Sequence, residues 1–463
     1  MKNIPLRGMI LALCAGLTAC AGVPDGSRII EQKTSTASPA IVTGAHGALN
    51  AEESAAALRK AGASDALLAH LSLEQEVAEV PLSAGNSTRI LVDGKDSFKA
   101  IFAAIGAAHR SIDLEYFIFE DVRSGGNSLG KLLIKKRRQG VAVNVIYDSF
   151  GSGATPPAFF GRLKKAGVKV VEFNPLNPLL ARKLYSPNDR DHRKILVVDG
   201  TTAITGGVNL SATYESSGKS RSGNAADPAG AYWHDTDLEI RGPAVAQLQK
   251  LFLEHWAQQK GPSLGKRGYF PPQRSQGGEL IRVIGSMASK TVPHYYVTLL
   301  SAFNDARQAI WLTAAYFVPT DEQMSALMRA ARRGVDVRIL VPDQGDSPLS
   351  TLMQHSHYAD LLGAGARIYE THGEVLHSKT VIIDGAWTVI GSSNFDHRSI
   401  VFNDEVDVVV VGRKTAGGLQ AMFERDCAKA RQVTRAKWSR RAPFKRLKET
   451  VVPIWLTTVE SNL

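Results

Sequence analysis

Cysteine is scarce in this chain. Cys14 and Cys20 lie in the first twenty residues and only Cys427 stands in the body, so no intramolecular disulfide framework is available and the fold must rest on an apolar core. Cys427 itself reads as a small buried hydrophobe. Long apolar runs are missing too. Beyond the amino terminus no stretch approaches the roughly 18 uninterrupted apolar residues a spanning helix needs, which excludes a transmembrane helix from the body. Low-complexity tracts are also absent: 41 Gly and 20 Pro are spread along 463 residues that are 44% hydrophobic and 21% charged, a globular composition. An acidic excess is lacking, and the formal charge of +11 favours anionic partners such as phospholipid headgroups or nucleic acid. Charge alone does not choose between them.

What is present begins with a targeting signal. Lys2 and Arg7 precede an apolar run, Met9 to Leu17, too short to cross a bilayer. The run ends Leu17, Thr18, Ala19, Cys20, which resembles the lipobox of bacterial lipoproteins. That resemblance implies cleavage of residues 1–19 and lipidation of Cys20, and Ala21 in place of Asp points to the outer membrane of a cell envelope. Residues 21–47 are rich in Ser, Thr, Ala, Gly and Pro and read as a flexible spacer. A helical pattern follows to about residue 79, so 20–80 is expected to precede the catalytic body. At the other end, 432–463 forms a basic aromatic tail: Arg435, Lys437, Arg440, Arg441, Lys445, Arg446 and Lys448 are interleaved with Trp438, Phe444 and Trp455. That mixture suits a membrane surface, with a solvated helix face as the alternative.

The body is an internal repeat. SIDLEYFIF (111–119), SLGKLLIKKRRQG (128–140), VAVNVIYDS (141–149) and AGVKVVEF (166–173) are matched by AIWLTAAYF (309–317), EQMSALMRAARRG (322–334), VDVRILVPD (335–343) and AGARIYE (364–370). Each block alternates β-branched runs with helical segments closed by Gly140 or Gly334, the pattern of βαβ units around a buried sheet. The fold class is therefore α/β in two tandem halves, 81–262 and 279–431, joined by a Pro-, Gly- and Ser-containing linker near 261–278.

Within the repeat stand HRKILVVDGTTAITGGVN (192–209) and HSKTVIIDGAWTVIGSSN (377–394). His, Lys, Asp and Asn recur at one offset: 377 − 192 = 185 and 394 − 209 = 185. Each motif is a strand run ending in Asp-Gly, so each is predicted to be a β-hairpin with a two-residue turn. That register sets His192 across from Gly207 and His377 across from Ser392. His and Lys, two apart, share a face on which the Asn converges.

Such a trio suits phosphoryl chemistry. Imidazole attacks or donates a proton near neutral pH, ammonium neutralises a phosphate oxygen, and carboxamide NH₂ donates to another. Two trios, His192, Lys194, Asn209 and His377, Lys379, Asn394, supply two histidines with opposite roles and need no metal or other cofactor. Asp199 and Asp384, at the turns, are expected to cap backbone groups. Asp235 and Glu405, opening the matched strands DTDLEI and EVDVVV, are candidates to orient the histidines; exposed strand-end carboxylates are the competing reading. His234, His355, His357, His372 and His397 lack matched partners and read as packing or surface residues, with His372 near enough to the second motif to stay in question.

These motifs resemble those of the phospholipase D superfamily, whose HxKxxxxD signature appears once per half, here as His192, Lys194, Asp199 and His377, Lys379, Asp384. The resemblance covers about residues 90–430. EYFIFEDVRSGGNSLGKLL, YDSFGS, GGVN and GSSNFDHRSIVFNDEVDVVV look like the bacterial cardiolipin synthase branch. It implies phospholipase D-like α/β/α sandwich halves sharing one active site, with His192 as nucleophile, His377 as general acid, and Lys194, Lys379, Asn209 and Asn394 as phosphate binders. The two histidine roles are open to exchange. It also implies a phospholipid substrate, phosphatidylglycerol, rather than nucleic acid. Hydrolysis by water and an exported nuclease are the alternatives within the superfamily.

Overall fold

In the computed structural model the described residues are 22–33, 38–44, 47–177, 186–215, 232–265, 268–288 and 292–441. The first half supplies seven strands: β1 (Leu82–Val92), β2 (Ser111–Tyr116), β3 (Ala142–Asp148), β4 (Lys169–Phe173), β5 (Lys194–Val198), β6 (Thr202–Gly206) and β7 (Thr236–Arg241). The second supplies β8 (Glu279–Ser286), β9 (Ala309–Ala314), β10 (Asp336–Pro342), β11 (Arg367–Thr371), β12 (Lys379–Ile383), β13 (Trp387–Gly391) and β14 (Asn403–Val411).

Strand order is the same in both. The first half runs β4-β3-β2-β5-β6-β7-β1 and the second β11-β10-β9-β12-β13-β14-β8. In each, the three βαβ strands are parallel and the remaining pairings antiparallel. β1 and β8 then pair antiparallel, joining the halves into one continuous sheet. Burial on both faces explains the unbroken apolar runs: all nine residues of β14 are buried. Outer faces are covered by helices such as Asp93–Ala107 and His294–Asp305. The inner faces meet through Ile195, Val197 and Leu238 against Ile382, Ile390 and Val408. Gly140 and Gly334 end their helices at φ 91° and 90°, the left-handed conformation glycine adopts without strain.

The hairpin register differs from the sequence expectation by one residue. Val198 pairs with Thr202, and Ile383 with Trp387, so each turn holds three residues. Asp199 and Gly200 take φ 53° and 63°, Asp384 and Gly385 φ 49° and 63°, and Thr201 and Ala386 each close the turn with a backbone hydrogen bond. Extended over the motif, the shift moves the position facing His192 from Gly207 to Val208, and that facing His377 from Ser392 to Ser393.

The stretch read as a spacer is also different. Gly26–Lys33 is a helix whose Gly26 and Ser27 amides donate to Glu322, and Ile41–Thr43 pairs parallel with β1. Helix Asp65–Ala78 packs on His294–Asp305. Its buried Glu74 accepts hydrogen bonds from Arg282 (2.5 Å) and from Trp387 Nε1 (3.0 Å). The amino-terminal segment therefore completes the core of the second half. Apolar anchors, Ile29, Ile30 and Ile41, override the linker-like composition around them. The first residues of the tail also dock, with the Trp438 ring 4.7 Å from Tyr358. Residues 442–463, like the signal stretch and Cys20, lie outside the described residues.

Candidate active site

Each motif histidine lies just ahead of its strand, at the carboxyl ends of the parallel strands, where Lys194 pairs with Tyr116 and Lys379 with Ala314. Two short parallel bridges then tie the halves together. Arg190–Asp191 pairs with Asn403–Asp404, and Tyr232–His234 with Glu374–Leu376. The next residues along these bridges are His192 beside Glu405 and His377 beside Asp235. The His192 amide donates to the Asp404 carbonyl and the His377 amide to that of His234.

The side chains follow. His192 Nδ1 lies 2.9 Å from Glu405 Oε2, and His377 Nδ1 2.7 Å from Asp235 Oδ2. Each histidine is thus held through Nδ1 by a carboxylate from the opposite half, an arrangement that fixes the ring's orientation. Both rings are nearly enclosed, at 8% and 7% exposure. Glu405 further accepts from Ser392 Oγ (2.6 Å), Ser399 Oγ (2.9 Å) and Asn403 Nδ2 (3.0 Å). Asp235 accepts from the Tyr214 hydroxyl (3.0 Å), which also lies 3.0 Å from His377 Nδ1.

Local sequence explains why these carboxylates fit. A Cβ on Gly207 would lie 2.1 Å from Asp235 Oδ1, so only glycine leaves room there. At the matched position Ser392 instead donates to Glu405. Lys194 and Lys379 are buried beside their histidines, each ammonium donating to the carbonyl of its own motif histidine. Asn209 Oδ1 accepts from the Ile118 amide (3.2 Å), leaving its NH₂ to donate. Asn394 Oδ1 is buried without a hydrogen-bond partner.

Electrostatics favour a neutral nucleophile in a cationic pocket. Burial pushes His192 down to about 4 against the pull of Glu405. Glu405 is itself held at about 2: burial would raise it, but His192 and Lys194 outweigh that. Burial, Lys379 and Lys194 also lower His377, against the pull of Asp235. Asp235 is lowered in spite of burial, by His377 and Lys379. Burial, with mutual repulsion in the case of Lys194, brings Lys194 to about 7 and Lys379 to about 8. An arriving phosphate would recharge both ammoniums.

Asp199 and Asp384 lie at the far ends of the hairpins. Asp199 accepts from the amides of His109, Arg110 and Ser111, and Asp384 from those of Arg307, Gln308 and Ala309. His355 contacts Glu370 and the Trp438 ring, the exposed His372 contacts Asp343, and His397 the Phe402 ring. Burial lowers His357. Cys427 is half-buried. His234 departs from its reading as a packing or surface residue: it bridges Asp93 (2.7 Å) and Asp426 of the other half (3.1 Å). Those carboxylates overcome burial and raise it to about 10. Motif matching also missed the aromatic walls. Phe117 stands edge-on to His192 at 5.1 Å, and Trp233 5.3 Å from His377. Neither Tyr214 nor Trp233 has a matched partner to flag it. Ser399 and Asn403 stood inside a quoted motif, where their spacing from Glu405 was the available signal. Among the described residues a metal-like cluster of Glu115, Asp191 and His255 exists, with the Arg193 guanidinium already on Glu115.

Two His-carboxylate pairs formed across the halves, each with a buried lysine beside its histidine, are the arrangement of a phospholipase D-type phosphatidyltransferase. The model of the "Cardiolipin synthase, PLD-like domain" family matches residues 101–219 and 299–427. The chain is 34% identical to a cardiolipin synthase of Halalkalibacterium halodurans over 85% of its own length and 76% of the relative's. It is 36% identical to cardiolipin synthase A of Pseudomonas aeruginosa over 77% and 70%. The chain belongs to the cardiolipin synthase family of phospholipase D-like proteins. A solved structure of phosphatidylserine synthase from Haemophilus influenzae shares the fold, with a TM-score of 0.58 at 12% identity, covering 84% of this chain and 99% of that one.

Proposed function

We propose that the chain transfers a phosphatidyl group between two phosphatidylglycerol molecules, releasing glycerol, through a covalent intermediate on His192. The pairing of each histidine with a carboxylate across the two halves supports this reading most directly, because it brings one histidine from each half to the seam and engages its Nδ1, so that Nε2 is the atom available for chemistry. His192, neutral near pH 7, attacks phosphorus through Nε2 while its Nδ1–H donates to the Glu405 carboxylate. His377, lowered in the free site by burial, Lys379 and Lys194, takes up its proton as the anionic phosphate arrives. It gives that proton from Nε2 to the departing glycerol oxygen, so the P–O bond breaks as the P–N bond forms. The neutral His377 then takes the proton of an incoming alcohol, whose oxygen displaces His192. Lys194, Lys379, Asn209 and Asn394 hold the non-bridging oxygens.

The same reading places the protein at a membrane. Among the described residues no helix is long and apolar enough to cross one. The signal-like start and Cys20 support lipid anchoring on the extracytoplasmic side, at the outer membrane. Cells fed a radiolabelled fatty acid should incorporate label into the protein and not into its Cys20→Ala variant; a wild-type protein that takes up no label would refute the anchor. For the reaction, the purified protein is incubated with phosphatidylglycerol vesicles, with and without ethanol, beside His192→Ala. Cardiolipin and phosphatidylethanol absent from the variant are expected. Phosphatidic acid alone would make it a hydrolase, and nucleic acid cleavage without lipid turnover would make it a nuclease.

A further inference from the structure

The residue after each motif histidine differs between halves: Arg193 in the first, Ser378 in the second. Both reach across the halves. The fully buried Arg193 donates from Nε to the backbone carbonyl of Glu405 (3.2 Å), from Nη1 to Glu115 (3.2 Å) and from Nη2 to the carbonyl of Ser286 (3.0 Å). Glu115 is held in turn by His255 Nδ1 (2.8 Å), whose Nε2 lies 3.4 Å from Asp404. His255 thus holds the Asp404 side chain while Arg193 holds the backbone of Glu405. On the other side, Ser378 Oγ meets Thr236 Oγ1 at 2.9 Å, next to Asp235. Strand register puts Thr313 where the first half has Glu115.

We propose that Arg193, braced by Glu115 and His255, is a positioning residue that fixes Glu405 and through it the attack geometry of His192. At the matched position on the His377 side, Ser378 offers a hydroxyl in place of the guanidinium, and among the described residues no guanidinium grips the backbone carbonyl of Asp235 in the same way. The guanidinium also supplies the cation that the Glu115, Asp191 and His255 cluster would otherwise demand. The inference rests on the proposed chemistry, in which His192 is the nucleophile.

The test is single-turnover formation of the phosphatidyl-histidine from phosphatidylglycerol and from phosphatidyl p-nitrophenol, whose leaving group needs no acid. Arg193→Met should keep the labelled amplitude and KM but slow attack about 100-fold with both substrates, the scale expected for misplacement of a reacting group. Ser378→Ala should change it less than about threefold. If Arg193→Met fails to fold, Glu115→Gln should show the same leaving-group-independent slowing, by about tenfold. An unchanged rate with reduced amplitude, or an equal loss in Ser378→Ala, would overturn the proposal. A wild-type protein that never labels would overturn the underlying chemistry instead.

Discussion

The two half-sites have the same parts but different surroundings. Around His192 the carboxylate is a glutamate fed by two hydroxyls and an amide, and Arg193 grips its backbone. Around His377 the carboxylate is the shorter Asp235, seated against Gly207 and shared with the Tyr214 hydroxyl. Duplication fixed the strand order and the His/Lys/Asn set. If His192 makes the attack and His377 passes the proton, as proposed, the difference around them sets a firmly held ring beside a proton-transferring one.

The comparison is broken most severely by removing the rings. His192→Ala should abolish labelling and lower turnover by at least ~10⁴-fold, the scale of losing a nucleophile. His377→Ala should instead trap label on His192 with a p-nitrophenol leaving group, as seen by rapid quench. Next come the carboxylates. Glu405→Gln should cost about 10³-fold with any leaving group, as for an amide in place of an orienting carboxylate. Asp235→Asn should cost as much with glycerol but far less with p-nitrophenol.

Gly207→Ala drives a methyl into Asp235 and should cost about 10²-fold in kcat. Ser392→Ala removes one of several donors to Glu405 and should cost under about tenfold. A smaller effect is expected in the pH profile of kcat/KM. His192 must be neutral, so activity is lost as pH falls through about 4. His377 must be protonated to act as the acid, and burial with Lys379 and Lys194 lowers it, so activity is lost as pH rises through that lowered value, and further as Lys194 and Lys379 lose their charge at about 7 and about 8. Lys194→Arg should remove the Lys194 step and leave the His377 limb in place. Least affected should be catalysis in Arg282→Met, which strands buried Glu74. It should destabilise the fold by about 3 kcal/mol, measured by denaturant unfolding, with kcat per folded molecule unchanged.

The proposed reacting groups stand out in the sequence because they lie within a few residues of one another in each repeat. The α/β halves were legible from β-branched runs and closing glycines. Pairing across the halves was not. Asp235 and Glu405 stood out as matched strand openings, yet nothing local says that residues 142 and 213 positions apart meet. The hairpin register slipped because Asp-Gly alone suggests a two-residue turn. Asp199 instead turns its carboxylate to three amides at 109–111, and the turn takes in Thr201. The amino-terminal segment was misread because its composition is linker-like, while its burial depends on Ile29, Ile30 and Ile41 finding a helix and strand that are distant in sequence.

The most direct measurement maps the covalent intermediate. His377→Ala is mixed with phosphatidyl p-nitrophenol, quenched in alkali where phosphohistidine survives, digested, and sequenced by mass. A phosphatidyl adduct on the peptide carrying His192, absent from His192→Ala, is the expected result. An adduct confined to another residue, or product release with no adduct at all, would contradict a composite site in which the histidine held by Glu405 makes the attack.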